Sequence, residues 1–225
     1  MRRHAGSEHL AHSFTDLMTS LMVIFILLLL LLVFLNNKAA VNENLTNSLL
    51  KDLKRDLRGE QFKTQDIRLD TKDKYMIVVD IPDQLMTFKP NEYELKPEGE
   101  LFLQSRAGTI ANILCSDKYR DSLENVIVEG HSDSAPYRGA TLEESQQMNL
   151  KLSQDRSMEV VKKMLLYLNG SPRERACLLE KLSATGRGEQ DLESTADKSR
   201  RVVFKIRVNS SMGPELAKTL AGGAH

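Results

Sequence analysis

The sequence has no tryptophan, only two cysteines and only six prolines, and its 31 basic residues equal its 31 acidic ones. A formal charge of zero excludes a nucleic-acid binder that works by bulk positive charge. With 12 glycines the chain is neither collagen-like nor low-complexity. Five scattered histidines and two distant cysteines make no zinc-type spacing, so no metal is expected. No nucleophile elbow surrounds a serine. Gly186-Arg187-Gly188 opens no apolar helix and lacks the Lys-Ser/Thr of a phosphate loop. An enzyme is therefore not expected, nor a cofactor.

What the chain has is one long apolar run. Leu17 to Leu35 carries no charge, and only Thr19 and Ser20 in it are polar. As a helix it is roughly 28 Å long, close to the hydrocarbon core of a bilayer. A secretory leader has a shorter apolar region and ends at small residues. Here Asn36, Asn37 and Lys38 follow, which favours an uncleaved single-pass anchor over residues 13–36. Arg2 and Arg3 oppose one Glu8 in the short tail, residues 1–12, so the tail is expected in the cytoplasm.

Asp16 opens the apolar run. Two uses fit it: a solvated helix-capping carboxylate, or an ionisable group kept near hydrocarbon to carry an ion. Thr19 and Ser20, three and four residues on, share its helix face and are placed to support an ion path.

Residues 37–74 are polar and charged, except that Val41, Leu45, Leu49, Leu53 and Leu57 recur every four residues, with Leu50 beside them. That stripe predicts an amphipathic linker helix. It suits packing on the chain's own domain or pairing with a second copy, and pairing is the expectation. From Tyr75 the pattern turns mixed. Strands are predicted at Tyr75–Ile81, where Pro82 ends the run, then at Gln84–Phe88, Asn125–Glu129, Leu182–Gly186 and Arg200–Val208. Helices are predicted from Pro97 to Cys115 and from Asn149 to Leu168, with a further helical segment in Ser171–Leu179. The order β-α-β-α-β-β argues an α/β (α+β) domain over residues 75–208, a sheet with helices on one side. Residues 209–225 form a tail in which Leu216–Leu220 suits a short helix.

Two resemblances sharpen this. Asp16-Leu17-Met18-Thr19-Ser20-Leu21-Met22 resembles the start of the membrane helix in MotB-type stator subunits. The resemblance implies that Asp16 carries the ion, a proton rather than sodium, with sodium left open. It also implies a homodimer inside a MotA- or ZorA-like multi-pass partner, five copies around two. The second lies in three strings: Gly130-His131-Ser132-Asp133, then Asn149-Leu150-Lys151-Leu152-Ser153-Gln154-Asp155-Arg156-Ser157, then Gly186-Arg187-Gly188-Glu189 ahead of Arg200-Arg201-Val202. Together they are similar to the OmpA-like peptidoglycan-binding domain. Ser132, Ser157 and Ser199 replace residues usual in that family, and the proline expected after Glu189 is missing.

That resemblance implies a periplasmic domain gripping the diaminopimelate of wall peptides. Asp133 would take the ammonium and Arg156 the carboxylate, with Asn149 and Ser153 in support. His131 is expected to be structural. In an oxidising compartment Cys115 and Cys177 either pair or remain buried thiols, and pairing is the expectation. The short tail, the Leu-rich membrane helix without Trp and the regular linker repeat favour the MotB-like subunits of Zorya anti-phage systems over flagellar MotB, with a non-conducting structural envelope anchor as the other alternative. The implied location is the bacterial inner membrane, N-terminus cytoplasmic, with no direct nucleic-acid contact.

Overall fold

The computed structural model describes residues 5–58, 63, 66–81, 85–86 and 88–208. Arg2, Arg3, Pro82 and the tail with Leu216–Leu220 lie outside the described residues. The chain divides into two units, Met1–Val41 and Asn42–His225.

Helix α1 spans Ala5–Asp56. The predicted membrane helix and linker helix are thus one element. Within the first unit every described side chain from Phe14 to Asn37 is exposed, including the whole apolar run. A helix apolar on all faces and bare of protein contacts is suited to lipid, not to a protein core. It is the one helix among the described residues long and apolar enough to cross a membrane.

The second unit is an open sheet of five strands with helices on one face. Its strands are β1 (Ile67–Leu69), β2 (Met76–Asp80), β3 (Leu123–Gly130), β4 (Leu182–Gly186) and β5 (Val202–Val208). They lie in the order β1-β2-β5-β3-β4. Only β3 and β4 pair in parallel. The helices are α2 (Pro97–Leu114), α3 (Leu142–Tyr167), α4 (Pro172–Lys181) and the short α5 (Ala196–Ser199). Alternation sorts the strand side chains. Ile77, Val79, Val126, Val128, Phe204 and Ile206 enter the core with Phe102, Leu103, Ile110, Leu114, Val160 and Met164 from the helices. The other sheet face carries ion pairs: Arg68 with Asp80 at 2.9 Å, Lys205 with Glu129 at 2.8 Å, and Arg207 with both Asp73 and Glu124 at 3.1 Å.

Four expectations are corrected. The linker stripe does not await a second copy: Leu49, Leu53 and Leu57 are buried in this domain's own core, with Leu45 and Leu50 packed against it. Asp52 on the same helix accepts hydrogen bonds from the Tyr119 hydroxyl at 2.6 Å and Lys118 at 3.1 Å. Val41, at the head of the stripe, stays exposed. The compact unit therefore starts at Asn42, well before residue 75. Of residues 84–88, only Leu85, Met86 and Phe88 are described, and none of them belongs to a strand: Phe88 makes an isolated bridge with Leu95, while β1, unforeseen, pairs antiparallel with β2. Finally, α3 begins at Leu142, not Asn149. Thr141 Oγ1 accepts from the Glu144 amide at 3.2 Å, and the Glu144 carboxylate accepts from the Thr141 amide at 2.7 Å. This reciprocal cap satisfies two orphan donors of the first turn.

A disulfide joins Cys115, at the end of α2, to Cys177 in α4. Closing a separation of 62 residues constrains the unfolded chain by about 4 kcal/mol in the loop-entropy account.

Leu53→Ala is expected to cost about 2–5 kcal/mol, because it opens a cavity in the shared core. The check is thermal unfolding of the full chain beside its oligomeric state. The melt falls by about 10 °C with the oligomer unchanged; a weakened oligomer with an unchanged melt would restore the pairing role. Gly130→Ala tests a second packing point. A Cβ on Gly130 would sit 2.0 Å from the Ser153 carbonyl oxygen, so α3 must move off β3. A loss of roughly 3 kcal/mol by denaturant titration is expected from such overpacking, and a neutral result would contradict the close approach.

Candidate functional site

The site lies where β3 ends against the middle of α3. The ladder runs one step past the strand: the His131 amide donates to Arg201 O at 2.9 Å, and the Ser132 amide to Gly188 O at 2.8 Å. The chain is thus pinned from both neighbouring strand ends before it turns at Asp133. His131 is buried. Its Nδ1 lies 3.1 Å from Gln190 O, and since a carbonyl only accepts, Nδ1 carries the proton. Burial, with the charge of Arg201 next, pushes its pKa below the ordinary value. It acts as a structural residue of the turn.

Asp133 Oδ1 accepts from the Ala135 amide at 3.1 Å, which bends the loop back toward α3. Asn149, buried on α3, donates to Ala135 O at 3.4 Å, and Ser145 Oγ accepts from the Tyr137 amide at 3.1 Å. The first two turns of α3 therefore hold the loop. This explains why the helix must start at Leu142: a start at Asn149 would leave Ser145 off it.

Arg156 is the centre of the arrangement. Among the described residues it is the largest fully buried side chain. Its Nε donates to Glu92 O at 3.1 Å, Nη1 to His131 O at 3.2 Å and Nη2 to Lys89 O at 3.2 Å. The guanidinium carbon stands 5.0 Å from the Phe88 ring centroid. Burial, and then the charge of Arg200, push its pKa down to about 10, so it stays cationic at neutral pH. No carboxylate pairs with it among the described residues. Three of its five N–H groups are spent on carbonyls, which leaves one on each terminal nitrogen. One N–H from each terminal nitrogen can make the parallel pair that a carboxylate accepts.

The four predicted wall-binding residues have three different jobs. Asp133 lies close enough to the buried Arg156 for its charge to act on the guanidinium. Asn149 braces the loop that carries Asp133. Ser153 supports from behind: its hydroxyl donates to Leu150 O at 2.7 Å and accepts from the Gly188 amide at 2.8 Å, leaving it no free hydrogen for a ligand. Beside it, Gln154 donates to Ala184 O at 3.2 Å and accepts from the Gly186 amide at 2.7 Å, covering the open edge of β4.

Sequence reasoning missed three participants. Arg200 pairs with Asp133 and with Asp197. The doubled Arg200-Arg201 was visible; Arg201, between the end of α5 and the start of β5, donates instead to Asp191 O at 3.0 Å. Tyr137 stands near enough to Arg156 and Asp133 to feel both charges, and burial raises its pKa. The buried Ser132 hydroxyl has no hydrogen-bond partner. At the membrane end, Asp16 is exposed on α1, and the Thr19 hydroxyl donates to the Asp16 backbone carbonyl at 2.9 Å, not to its carboxylate. Ser20 is exposed on the next position.

No curated protein matches the chain. Among solved structures, a putative MotB-like protein from Desulfovibrio vulgaris is 19% identical, with a TM-score of 0.50 over 77% of this chain and 98% of that one. The periplasmic domain of MotB is 15% identical, with a TM-score of 0.45 over 71% and 77%. The cell wall anchor of the T6SS from Pseudomonas aeruginosa is 24% identical, with a TM-score of 0.44 over 72% and 97%. The first of these supports a fold shared with MotB-like domains. Residues 87–203, more than half of the sequence, match the OmpA family and include Asp133, Asn149, Arg156 and Arg200. With its mixed sheet and α3 packed closely on the end of β3, the chain belongs to the OmpA family.

Proposed function

We propose that this chain is the wall-anchoring, ion-carrying subunit of a rotary stator in the bacterial inner membrane, and that the stator serves anti-phage defence as the ZorB subunit of a Zorya system. The observation that carries the reading is the union of two parts on one chain. An OmpA-family pocket holds an acid beside a buried, still cationic guanidinium. An exposed apolar helix begins with an aspartate.

The chemistry of each part follows from its residues. Diaminopimelate bears an ammonium and a carboxylate on its side chain. Asp133 takes the ammonium, and the two remaining N–H groups of Arg156 take the carboxylate. Asn149 keeps the Asp133 loop in place and Ser153 keeps the neighbouring loop in place. Held by the wall, the domain resists torque. Asp16 then accepts and releases a proton, driven by about 2.3 kcal/mol per charge per 100 mV. One helix encloses no path, so a multi-pass ZorA- or MotA-like partner lines it, five copies around a dimer of this chain. The disulfide suits an oxidising periplasm on the domain side of the membrane. The chain is an anchor and ion carrier, not an enzyme.

A flagellar MotB role is the second reading, favoured by the likeness of the domain to a MotB-like protein. Plaquing separates the two. Asp16→Asn in the intact operon is expected to abolish protection from phage while the protein still assembles. Full protection by the variant would remove the ion-carrying role; no protection from the wild type, with swimming restored in a stator-deficient strain, would establish the flagellar role.

Wall binding is checked by sedimentation with purified peptidoglycan. Asp133→Ala is expected to lose sedimentation with a cooperative melt retained. Arg156→Ala is expected to lose both sedimentation and about 3 kcal/mol of stability, because it strands buried carbonyls from two loops. Unchanged sedimentation of Asp133→Ala would reject the assigned site.

A further inference from the structure

The acid assigned to the ligand ammonium is already occupied. Nη1 of Arg200 is paired with Asp133 Oδ2, and Nη2 of the same guanidinium with Asp197 Oδ1. The Arg200 and Asp133 side chains are 13% and 15% exposed, whereas Asp197 is 84% exposed. The charge of Asp197 is therefore bathed in solvent and screened. Behind the pair lies Arg156, buried, attracted by Asp133 and repelled by Arg200. Tyr137 feels the charges of both Arg156 and Asp133 and is uncharged at neutral pH, its pKa being raised by burial. The inner pocket thus holds two guanidiniums against one carboxylate. The hydroxyl of Ser132, the residue before Asp133, is buried without a hydrogen-bond partner.

That imbalance decides what enters. A lone ammonium that takes Asp133 must displace Nη1 of Arg200. It then leaves Arg156 and Arg200 without a desolvated counter-ion, next to a third cation. A ligand with a carboxylate on the same carbon restores the balance. Its ammonium replaces Arg200 on Asp133, and its carboxylate is shared by Arg156 and the released Nη1 of Arg200. Arg200 keeps Asp197 throughout. Every group stays ionised, and only ion pairs change partners.

We propose that Arg200 is an exchangeable counter-ion that makes the pocket accept a complete α-amino-acid zwitterion and reject a lone ammonium. The inference rests on the wall-binding reading of the same site. It makes Arg200 a specificity residue that separates diaminopimelate-type stem peptides from lysine-type ones, which end in an ammonium alone. The mechanism is rejection of the wrong ligand by unpaired charge.

The test is calorimetric titration of the full chain in detergent with three synthetic stem peptides: one ending in meso-diaminopimelate, one ending in lysine, and one with the side-chain carboxylate of diaminopimelate amidated. The wild type is expected to favour the first over the other two by about tenfold or more, as like-charge juxtaposition requires. In Arg200→Gln that preference collapses because the lysine peptide gains affinity. Arg200→Met, which keeps the apolar stem, gives the same collapse where the glutamine variant fails to melt cooperatively. An unchanged preference in either folded variant overturns the proposal. So does equal binding of the free and amidated peptides by the wild type, which needs no variant and leaves the wall-binding reading standing. Binding of no peptide, with no sedimentation on peptidoglycan, overturns both.

Discussion

A guanidinium taken out of water is costly unless its hydrogen bonds are replaced, and Arg156 replaces them with the carbonyls of Lys89, Glu92 and His131. Those carbonyls come from two segments far apart in sequence. One precedes α2; the other follows β3. The buried cation therefore locks both loops to the middle of α3, and the placement of Asp133 depends on that lock. The lock in turn depends on how closely α3 lies on the sheet. Gly130 and Gly186 have no side chain where the helix passes, with the Ser153 carbonyl and the Gln154 amide in the space a Cβ would take. Glycine at a strand end here is a packing requirement, and the charge chemistry is built on top of it.

The second constraint is closure of the core. The sheet buries one face under α2, α3 and α4 and protects the other with crossed ion pairs, where Val78 lies between Arg68 and Lys205 in register. The last turns of α1 add Leu49 and Leu53 to the buried side, and Leu57 follows directly after the helix. The part of α1 that lies in the second unit thus completes the core of the OmpA-family domain. The disulfide ties α2 to α4 in the same layer.

Much of this was legible in the sequence, and the failures are instructive. Periodicity found α2, β2, β3, β4 and β5 within a few residues because each pairs a clear apolar pattern with a turn or proline at its end. The fourfold leucine stripe showed a helix but not its partner. A stripe reports that a face is buried, and tertiary contacts decide by what. The start of α3 had a readable signal in Thr141 and Glu144, three apart ahead of a helical run. β1 is three residues long and had none. The resemblance of the three strings to the OmpA-like domain pointed to Asp133 and Arg156, and the structure puts the two close enough to attract each other. It was not legible that Arg156 spends its donors on carbonyls, that Ser153 faces away from the pocket, or that Arg200 occupies the acid. These depend on loops 88–92 and 187–200 folding over α3, which no local pattern encodes.

In the functional account, one cation is fixed and one is free to exchange. Arg156 is held by the backbone and shapes the pocket; Arg200 is held by two carboxylates and yields one of them to the ligand. A wall anchor that carries torque gains from such a site, since release requires both ion pairs to be broken together. The most direct measurement is a crystal structure of the chain with a diaminopimelate stem peptide. The account predicts the side-chain ammonium on Asp133 and its carboxylate on the terminal nitrogens of Arg156, with the bonds to the carbonyls of residues 89, 92 and 131 intact. A peptide seated elsewhere, or a pocket unchanged at saturating peptide with Arg200 still on Asp133, would contradict it.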